Sequence, residues 1–192
     1  MSQHIEIEYK ILLTKQKFNE IRQAYPQYET YQQTNYYFSH PLFEQKKYML
    51  RIREKNKSYE LTLKRPYQGQ NIEMNVPLNL SEKDMFFQHQ MIDNDITQFL
   101  IQENINLSSL QQLFSLTTQR YDIQLPEGIL SLDENHYLNK EDYELEFEVY
   151  DATKGFTKFQ EIMKQFDLHY EKNCPGKVRR AMLAYQKGKE SS

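Results

Sequence analysis

One seven-residue stretch, Tyr143-Glu144-Leu145-Glu146-Phe147-Glu148-Val149, alternates three glutamates with large apolar side chains. On an extended strand this puts the carboxylates on one face and the apolar groups on the other. The pattern recurs with other charges. Ile5-Glu6-Ile7-Glu8-Tyr9-Lys10 groups Glu6, Glu8 and Lys10, and Leu50-Arg51-Ile52-Arg53 groups two guanidinium side chains. Leu61-Thr62-Leu63-Lys64 presents Thr62 with Lys64, and Ile72-Glu73-Met74-Asn75-Val76 presents Glu73 with Asn75. Thr118, Arg120 and Asp122 oppose Tyr121 and Ile123, and Asp133 opposes Leu132. The acidic candidates are therefore Glu6, Glu8, Asp133, Glu144, Glu146 and Glu148; the basic ones are Lys10, Arg51, Arg53, Lys64 and Arg120. Carboxylates gathered without Cys or His suit a hard divalent ion, Mg²⁺ or Mn²⁺. Gathered Arg and Lys suit phosphate oxygens, Arg through its fork and Lys as a point charge. Together they predict a metal–polyphosphate ligand.

Taken singly, each strand also reads as an ordinary sheet with its charged face in water. Repeated like charge argues otherwise. Residues i and i+2 on a strand lie roughly 6.5–7 Å apart. Two like charges at that spacing repel by about 0.6 kcal/mol in water, and by about 2.4 kcal/mol at an effective dielectric of 20. An enclosed face would need a bound counter-ion to offset the second figure.

The period-two alternation predicts strands over Ile5–Lys10, Thr34–Phe38, Tyr48–Arg53, Tyr59–Lys64, Asn71–Val76, Leu116–Leu125, Ile129–Asn135 and Tyr143–Val149. Lys55-Asn56-Lys57-Ser58, Pro66-Tyr67-Gln68-Gly69 and Pro126-Glu127-Gly128 read as hairpin turns, and Pro77-Leu78-Asn79 ends the fifth strand. Thr14 is the predicted N-cap of a helix running to about Tyr25, with Phe18 and Ile21 on one face. Ser81 caps a second helical region, extending with Ile96, Phe99 and Leu100 towards Phe114. A third helix, Thr153 to about Phe166, carries an apolar stripe for packing on a sheet. A last one follows Pro175-Gly176, from Lys177 to about Tyr185. Helices on the apolar faces leave the charged faces to line an interior. The expected fold is α+β: an eight-stranded antiparallel closed β-barrel, a tunnel with a charged interior and helices packed outside. Residues 1–187 read as one domain and 188–192 as a frayed tail.

Composition bounds the function. The 192 residues are 39% hydrophobic and 14% aromatic, against wholesale disorder. No apolar run approaches a membrane span, and acid near the N-terminus argues against a signal peptide, so a cytoplasmic protein is expected. A net charge of −3 gives no bulk attraction to duplex nucleic acid or membranes. The lone Cys174 excludes an intramolecular disulfide and a multi-cysteine zinc site, and no His partner is evident for it. The five histidines lack ligand spacing, and neither Walker A nor G-x-G-x-x-G is present. Lys177, Arg179 and Arg180 open the last helix, where cations oppose the dipole and a nearby anion would explain them.

The ordered set of segments resembles the CYTH superfamily, also called triphosphate tunnel metalloenzymes. Glu6-Ile7-Glu8-Tyr9-Lys10 matches its ExExK signature. Asn35-Tyr36-Tyr37-Phe38, Leu50–Arg53, Leu61–Lys64, Glu73, Arg120, Asp133 and Glu144–Glu148 follow in order, and Gly176-Lys177 with Arg180 resembles its C-terminal basic element. ExExK alone is weak, but the set spans nearly the whole chain. The resemblance implies an eight-stranded antiparallel tunnel and a divalent-metal enzyme acting on triphosphates. Glu6, Glu8, Glu146 and Glu148 would hold the metal, assisted by Asp133 and Glu144. Lys10, Arg51, Arg53, Lys64, Arg120 and Lys177, with Glu73 and Arg180, would form the substrate set. Glu8, Lys10, Arg53 and Lys64 are the expected catalytic residues. Ser39 and Thr118 depart from the pattern, where many members carry Asp and some a second cation, and bear on substrate choice.

The expected reaction is hydrolysis of a terminal phosphoanhydride of inorganic triphosphate or a small organic triphosphate. A class IV adenylate cyclase, using the same cradle, and a non-catalytic polyphosphate or nucleotide binder are the alternatives. RNA 5′ ends remain candidate substrates, because 15 Tyr could stack bases. Association of two chains is left open.

Overall fold

The computed structural model describes residues 7–68 and 70–190. Eight strands form one antiparallel sheet: β1 (Ile7–Leu13), β2 (Glu29–Ser39), β3 (Met49–Lys55), β4 (Ser58–Tyr67), β5 (Gln70–Leu78), β6 (Gln111–Leu125), β7 (Gly128–Tyr137) and β8 (Lys140–Val149). Their order is β1-β8-β7-β6-β2-β3-β4-β5, so the described pairings leave β1 and β5 as the two ends. The α+β class and the strand count agree with expectation. The helices are α1 (Lys15–Ala24), α2 (Pro41–Lys46), α3 (Leu80–Phe87), α4 (Asp95–Gln102), α5 (Ala152–Gln165) and α6 (Lys177–Glu190).

The chain divides into two compact units, residues 1–32 with 118–184 and residues 33–117 with 185–192. Each has its own core. In the first, Ile11 and Leu13 of β1, Leu130 and Leu132 of β7, and Leu145 and Phe147 of β8 pack under Phe18 and Ile21 of α1 and Phe159, Ile162 and Met163 of α5. In the second, Leu50, Ile52, Leu61 and Leu63 of the β3–β4 hairpin pack with Phe86 of α3 and Ile96 and Leu100 of α4. Burying one such side chain contributes about 1.5–3 kcal/mol. Covering one face fixes strand register, because a one-residue slip would drive charge into the apolar layer.

Local chemistry sets the helix ends. Thr14 Oγ1 accepts from Lys17 N–H at 3.2 Å, as predicted for α1. Asn79, rather than Ser81, caps α3 through a reciprocal bond pair with Glu82. Helix does not continue to Phe114: α4, capped by Asn94, stops at Gln102, and β6 has begun by Gln111. Phe114 is thus a strand residue, alternating inward with Leu116. Asp151 caps α5, accepting from Thr153 and Lys154. Three features escaped sequence reading. β2 starts at Glu29, α2 intervenes before β3 with His40 Nδ1 accepting from Leu42 N–H, and α6 runs through residues expected to fray. β4 continues through Pro66 and Tyr67, tightening that turn, while Asn56 and Lys57, at φ 51° and 62°, make the expected tight turn between β3 and β4.

Gly155 is where α5 touches β8. A Cβ there would lie 2.4 Å from Val149 Cβ and 2.6 Å from its Cγ1. Gly155→Ala is therefore expected to lower stability by about 1–3 kcal/mol through overpacking, despite the better helix propensity of Ala. Urea melts test this, and pairing it with Val149→Ala should recover part of the loss.

Candidate functional site

Cross-strand register assembles the acids of the first unit. Lys10 is the Cα partner of Glu146, Glu8 of Glu148, Ser131 of Glu146, and Asp133 of Glu144. One oxygen each from Asp133, Glu144 and Glu146 lies within 4.8 Å of the other two. Asp133 and Glu144 are fully buried. Such a cluster stands only if cations meet it. Arg120 forks onto Asp133, Nε to Oδ1 at 2.7 Å and Nη2 to Oδ2 at 2.6 Å, and Nη2 also reaches Glu146 Oε2 at 2.5 Å. Lys177 Nζ contacts Asp133 Oδ2 and lies 3.1 Å from Glu146 Oε1 and 3.7 Å from Glu144 Oε1. Lys10 Nζ is 2.9 Å from Glu8 Oε2 and 3.5 Å from Glu146 Oε1. Arg180 forks onto Asp142 at 2.8 and 2.9 Å and donates through Nη1 to Glu144 Oε2 and the Pro175 carbonyl. The anions that explain cations at the start of α6 are the protein's own.

Burial, then the neighbouring Glu146 carboxylate, pushes the Glu144 carboxyl up to about 7 against Lys177 and Arg180. Glu146 goes the other way: its burial is outweighed by a hydrogen bond from Glu144 and by Lys177, Arg120 and Lys10, which hold it well below the carboxylate range. The two carboxyls are thus pushed in opposite directions, Glu144 towards its neutral form and Glu146 towards its charged one. Glu144 Oε1 is buried without a hydrogen-bond partner, with Lys177 Nζ 3.7 Å away. Burial would discharge Lys177, but Asp133 and Glu146 hold its ammonium above the usual lysine value. Burial and Glu144 push the half-buried Cys174 thiol up to about 11, a poor nucleophile.

The outer end of this acidic face differs. Glu8 and Glu148 stand directly opposite across β1 and β8, and both are exposed. Opposed carboxylates repel, and among the described residues Glu148 has no ion-pair partner. Glu8, Glu148 and Glu146 offer oxygen donors of the kind a hard divalent cation takes, on neighbouring positions of β1 and β8. Asp133 and Glu144 face Arg120, Lys177 and Arg180, and with Glu146 they also bring three carboxylate oxygens close enough together to hold a metal ion. Glu6 lies outside the described residues.

In the second unit the same alternation yields a basic face. Register makes Asn35 the partner of Arg53, and Arg51 that of Thr62, which in turn opposes Asn75. Arg51 Nη2 is 3.4 Å from Glu73 Oε1, and Lys64 Nζ is 2.9 Å from Glu73 Oε2. Arg53 Nε donates to Asn35 Oδ1 at 3.1 Å. Thr62 Oγ1 donates to Asn75 Oδ1 at 2.8 Å. Buried Arg51 keeps an Nε without an acceptor. Burial, and then the adjacent charge of Arg51, lower the Arg53 guanidinium from its usual value. Glu60, the Cα partner of Arg53 across β4, and Glu73 are the carboxylates beside Arg51, Arg53 and Lys64, so positive charge remains in excess, and the chemistry lacking is an anion.

Of the residues singled out from sequence, the first unit gathers Glu8, Lys10, Arg120, Asp133, Glu144, Glu146, Lys177 and Arg180, with Glu148 at the rim. The second gathers Arg51, Arg53, Lys64 and Glu73. Asp142 went unnoticed. It sits two residues before Glu144, and strand parity could have found it. Tyr137, donating to Asp142 Oδ2 at 2.6 Å, and Asn173 in a loop left no comparable signal.

The sequence model of the CYTH domain matches residues 4–174. A Bacillus subtilis (strain 168) protein named "Putative triphosphatase YjbK" is 38% identical over 172 residues, covering 88% of this chain and 90% of that protein. The crystal structure of a "putative adenylate cyclase" from Bacillus halodurans superposes with a TM-score of 0.72 at 31% identity, covering 92% of this chain and 97% of that one. HpAC1 from Hippeastrum, described as an adenylyl cyclase with a dominant triphosphatase activity, superposes with a TM-score of 0.75 at 19% identity, covering 94% and 96%; at that identity the likeness is one of fold. With alternating charged strands in the family's order and a match over most of its length, this chain belongs to the CYTH domain family.

Proposed function

We propose that the chain is a divalent-metal-dependent triphosphatase, hydrolysing a terminal phosphoanhydride of inorganic triphosphate or a small organic triphosphate. The observation that carries this reading is the under-neutralised basic face, where Arg51 and Arg53 adjoin and a buried Nε lacks an acceptor. Kinship with the Bacillus subtilis protein supports it. Arg51, Arg53 and Lys64 bind the triphosphate and neutralise charge growing on its oxygens. Lys10 and Lys177 assist from the acidic face. Arg120 and Arg180, committed to carboxylates, orient the acids more than they grip phosphate. Glu8, Glu146 and Glu148, with Glu6, would hold Mg²⁺ or Mn²⁺, which would supply Lewis-acid stabilisation of the phosphate oxygens. The reading includes one domain over residues 1–187, closure of the sheet into the family's tunnel, and a cytoplasmic setting. No described helix is long and apolar enough to cross a membrane.

Kinship with the Bacillus halodurans protein supports a cyclase as the second reading. Metal-stripped protein is offered tripolyphosphate, thiamine triphosphate, ATP and RNA bearing a 5′ triphosphate, with Mg²⁺ or Mn²⁺ added back. The expected result is phosphate release that requires metal and yields no cyclic AMP. Cyclic AMP and pyrophosphate from ATP would establish the cyclase instead, and tight tripolyphosphate binding without turnover would leave a binder.

A further inference from the structure

The loop between α5 and α6 is bonded to β1 at the residues that carry the expected chemistry. Asn173 Oδ1 accepts from the Lys10 N–H at 2.8 Å, and Asn173 Nδ2 donates to the Glu8 carbonyl at 2.9 Å. The next residue completes the pattern: Cys174 N–H donates to the Lys10 carbonyl at 3.0 Å. Both backbone groups of Lys10 are thus taken by the loop, on the side of β1 away from β8. An asparagine side chain offers a donor and an acceptor on one planar group, so it supplies two bonds that a neighbouring strand would otherwise provide. Asn173 is itself held. Tyr170 donates its hydroxyl to Asn173 Oδ1 at 3.1 Å, and its ring meets Phe159 edge-on at 4.8 Å and Tyr9 at 6.0 Å. Two residues after Asn173 the Pro175 carbonyl takes Arg180, and Lys177 opens α6.

We propose that Asn173 is a positioning residue for the triphosphatase reaction, acting through Lys10. This rests on the function proposed above. Lys10 Nζ bridges Glu8 Oε2 and Glu146 Oε1, which requires its backbone to be fixed against β8. Backbone groups on a strand's open edge that lack partners separate readily, and a displacement of about 1 Å at a reacting site can cost about a hundredfold in rate. The clasp holds the ammonium at the metal-side acids.

The test is a double-mutant cycle on steady-state tripolyphosphate hydrolysis at saturating metal, with thermal melts alongside. Asn173→Ala is expected to lower the rate constant about 10- to 100-fold, as loss of an orienting partner does, with KM changed less than about threefold. In a Lys10→Ala background the same substitution should cost less than about twofold, because the group it positions is gone. Asn173→Asp keeps the acceptor for Lys10 N–H but sets a carboxylate against the Glu8 carbonyl. It should lose rate comparably, and it serves if the alanine variant melts below the assay temperature. Full activity of Asn173→Ala, or equal losses in both backgrounds, overturns the proposal while leaving the triphosphatase reading intact. A wild-type chain without metal-dependent phosphate release overturns both.

Discussion

Replacing Arg53 by alanine is expected to lower kcat/KM for tripolyphosphate about 10³-fold, within the range seen when a guanidinium that stabilises a transferring phosphoryl group is removed, while leaving the thermal midpoint unchanged or slightly raised. The two halves of that expectation share one cause. Arg53 donates to Asn35, its cross-strand partner. The neighbouring Glu73 carboxylate is already claimed by Arg51 and Lys64. Burial and the Arg51 charge both disfavour the Arg53 cation, and Glu60, its partner across β4, offsets them only in part. A like-charge pair near 7 Å costs about 2.4 kcal/mol at an effective dielectric of 20, so truncating Arg53 relieves repulsion as it removes packing. Arg51→Ala should differ, since Arg51 is buried and pairs with Glu73; it should lose activity and stability together. Arg53→Lys should not restore the rate, because an ammonium cannot supply the planar fork. Calorimetry adds an independent reading: tripolyphosphate without metal should raise the wild-type midpoint and leave that of Arg53→Ala nearly still. A collapse in the Arg53→Ala midpoint would mean the side chain serves the fold rather than an anion.

What made this anion deficit legible in sequence was the two-residue period. Leu50-Arg51-Ile52-Arg53 and Tyr143–Val149 each announce a covered face and a charged face, and the structure places Leu50, Ile52, Leu145 and Phe147 in apolar cores. Parity says which side chains share a face; pairing decides which become partners. Nothing local could reveal that Glu144 faces Asp133 rather than Ser131, or that Arg120 spends its fork on Asp133. Period also fails where side chains serve caps and loops. His40 was an isolated histidine in sequence and is the N-cap of a short helix. Asn173 sits among polar residues whose roles depend on a strand 163 positions away. The stretch ahead of Phe114 misled because Ile96, Phe99 and Leu100 have true helical spacing, and the pattern switches to period two only near Leu110. Sequence proximity to a helix carried the reading across a boundary set by chain reversal.

Arg180 shows how costly such a long-range partner is to lose. Arg180→Ala is expected to lower stability of the metal-free protein by about 3–5 kcal/mol at pH 8, because it leaves carboxylates buried without their counter-charge. For a chain this long that moves the midpoint by about 10 °C. The guanidinium holds Asp142 through two bonds and Glu144 through a third. Glu144 is fully buried, and even with Arg180 present its carboxyl sits near 7. A carboxyl whose folded value exceeds its ordinary 4.5 costs stability as pH rises through the window between them, and removing one of its two cations enlarges that cost. Asp142 adds the same sign. Burial would raise it, but Arg180 and Tyr137 hold it below its ordinary value, a stabilisation present at neutral pH that goes with Arg180. The penalty should therefore be largest at pH 8 and shrink towards pH 5, where Glu144 takes up its proton. Adding Glu144→Gln should recover roughly half of the loss at pH 8 and little at pH 5, since the amide removes a charge that acid has already removed. Urea melts of both variants at the two pH values, with chelator present, decide it. A penalty that is independent of pH, or below about 1 kcal/mol, the range of an exposed ion pair, would place Arg180 in solvent and unfasten α6 from the acidic strands.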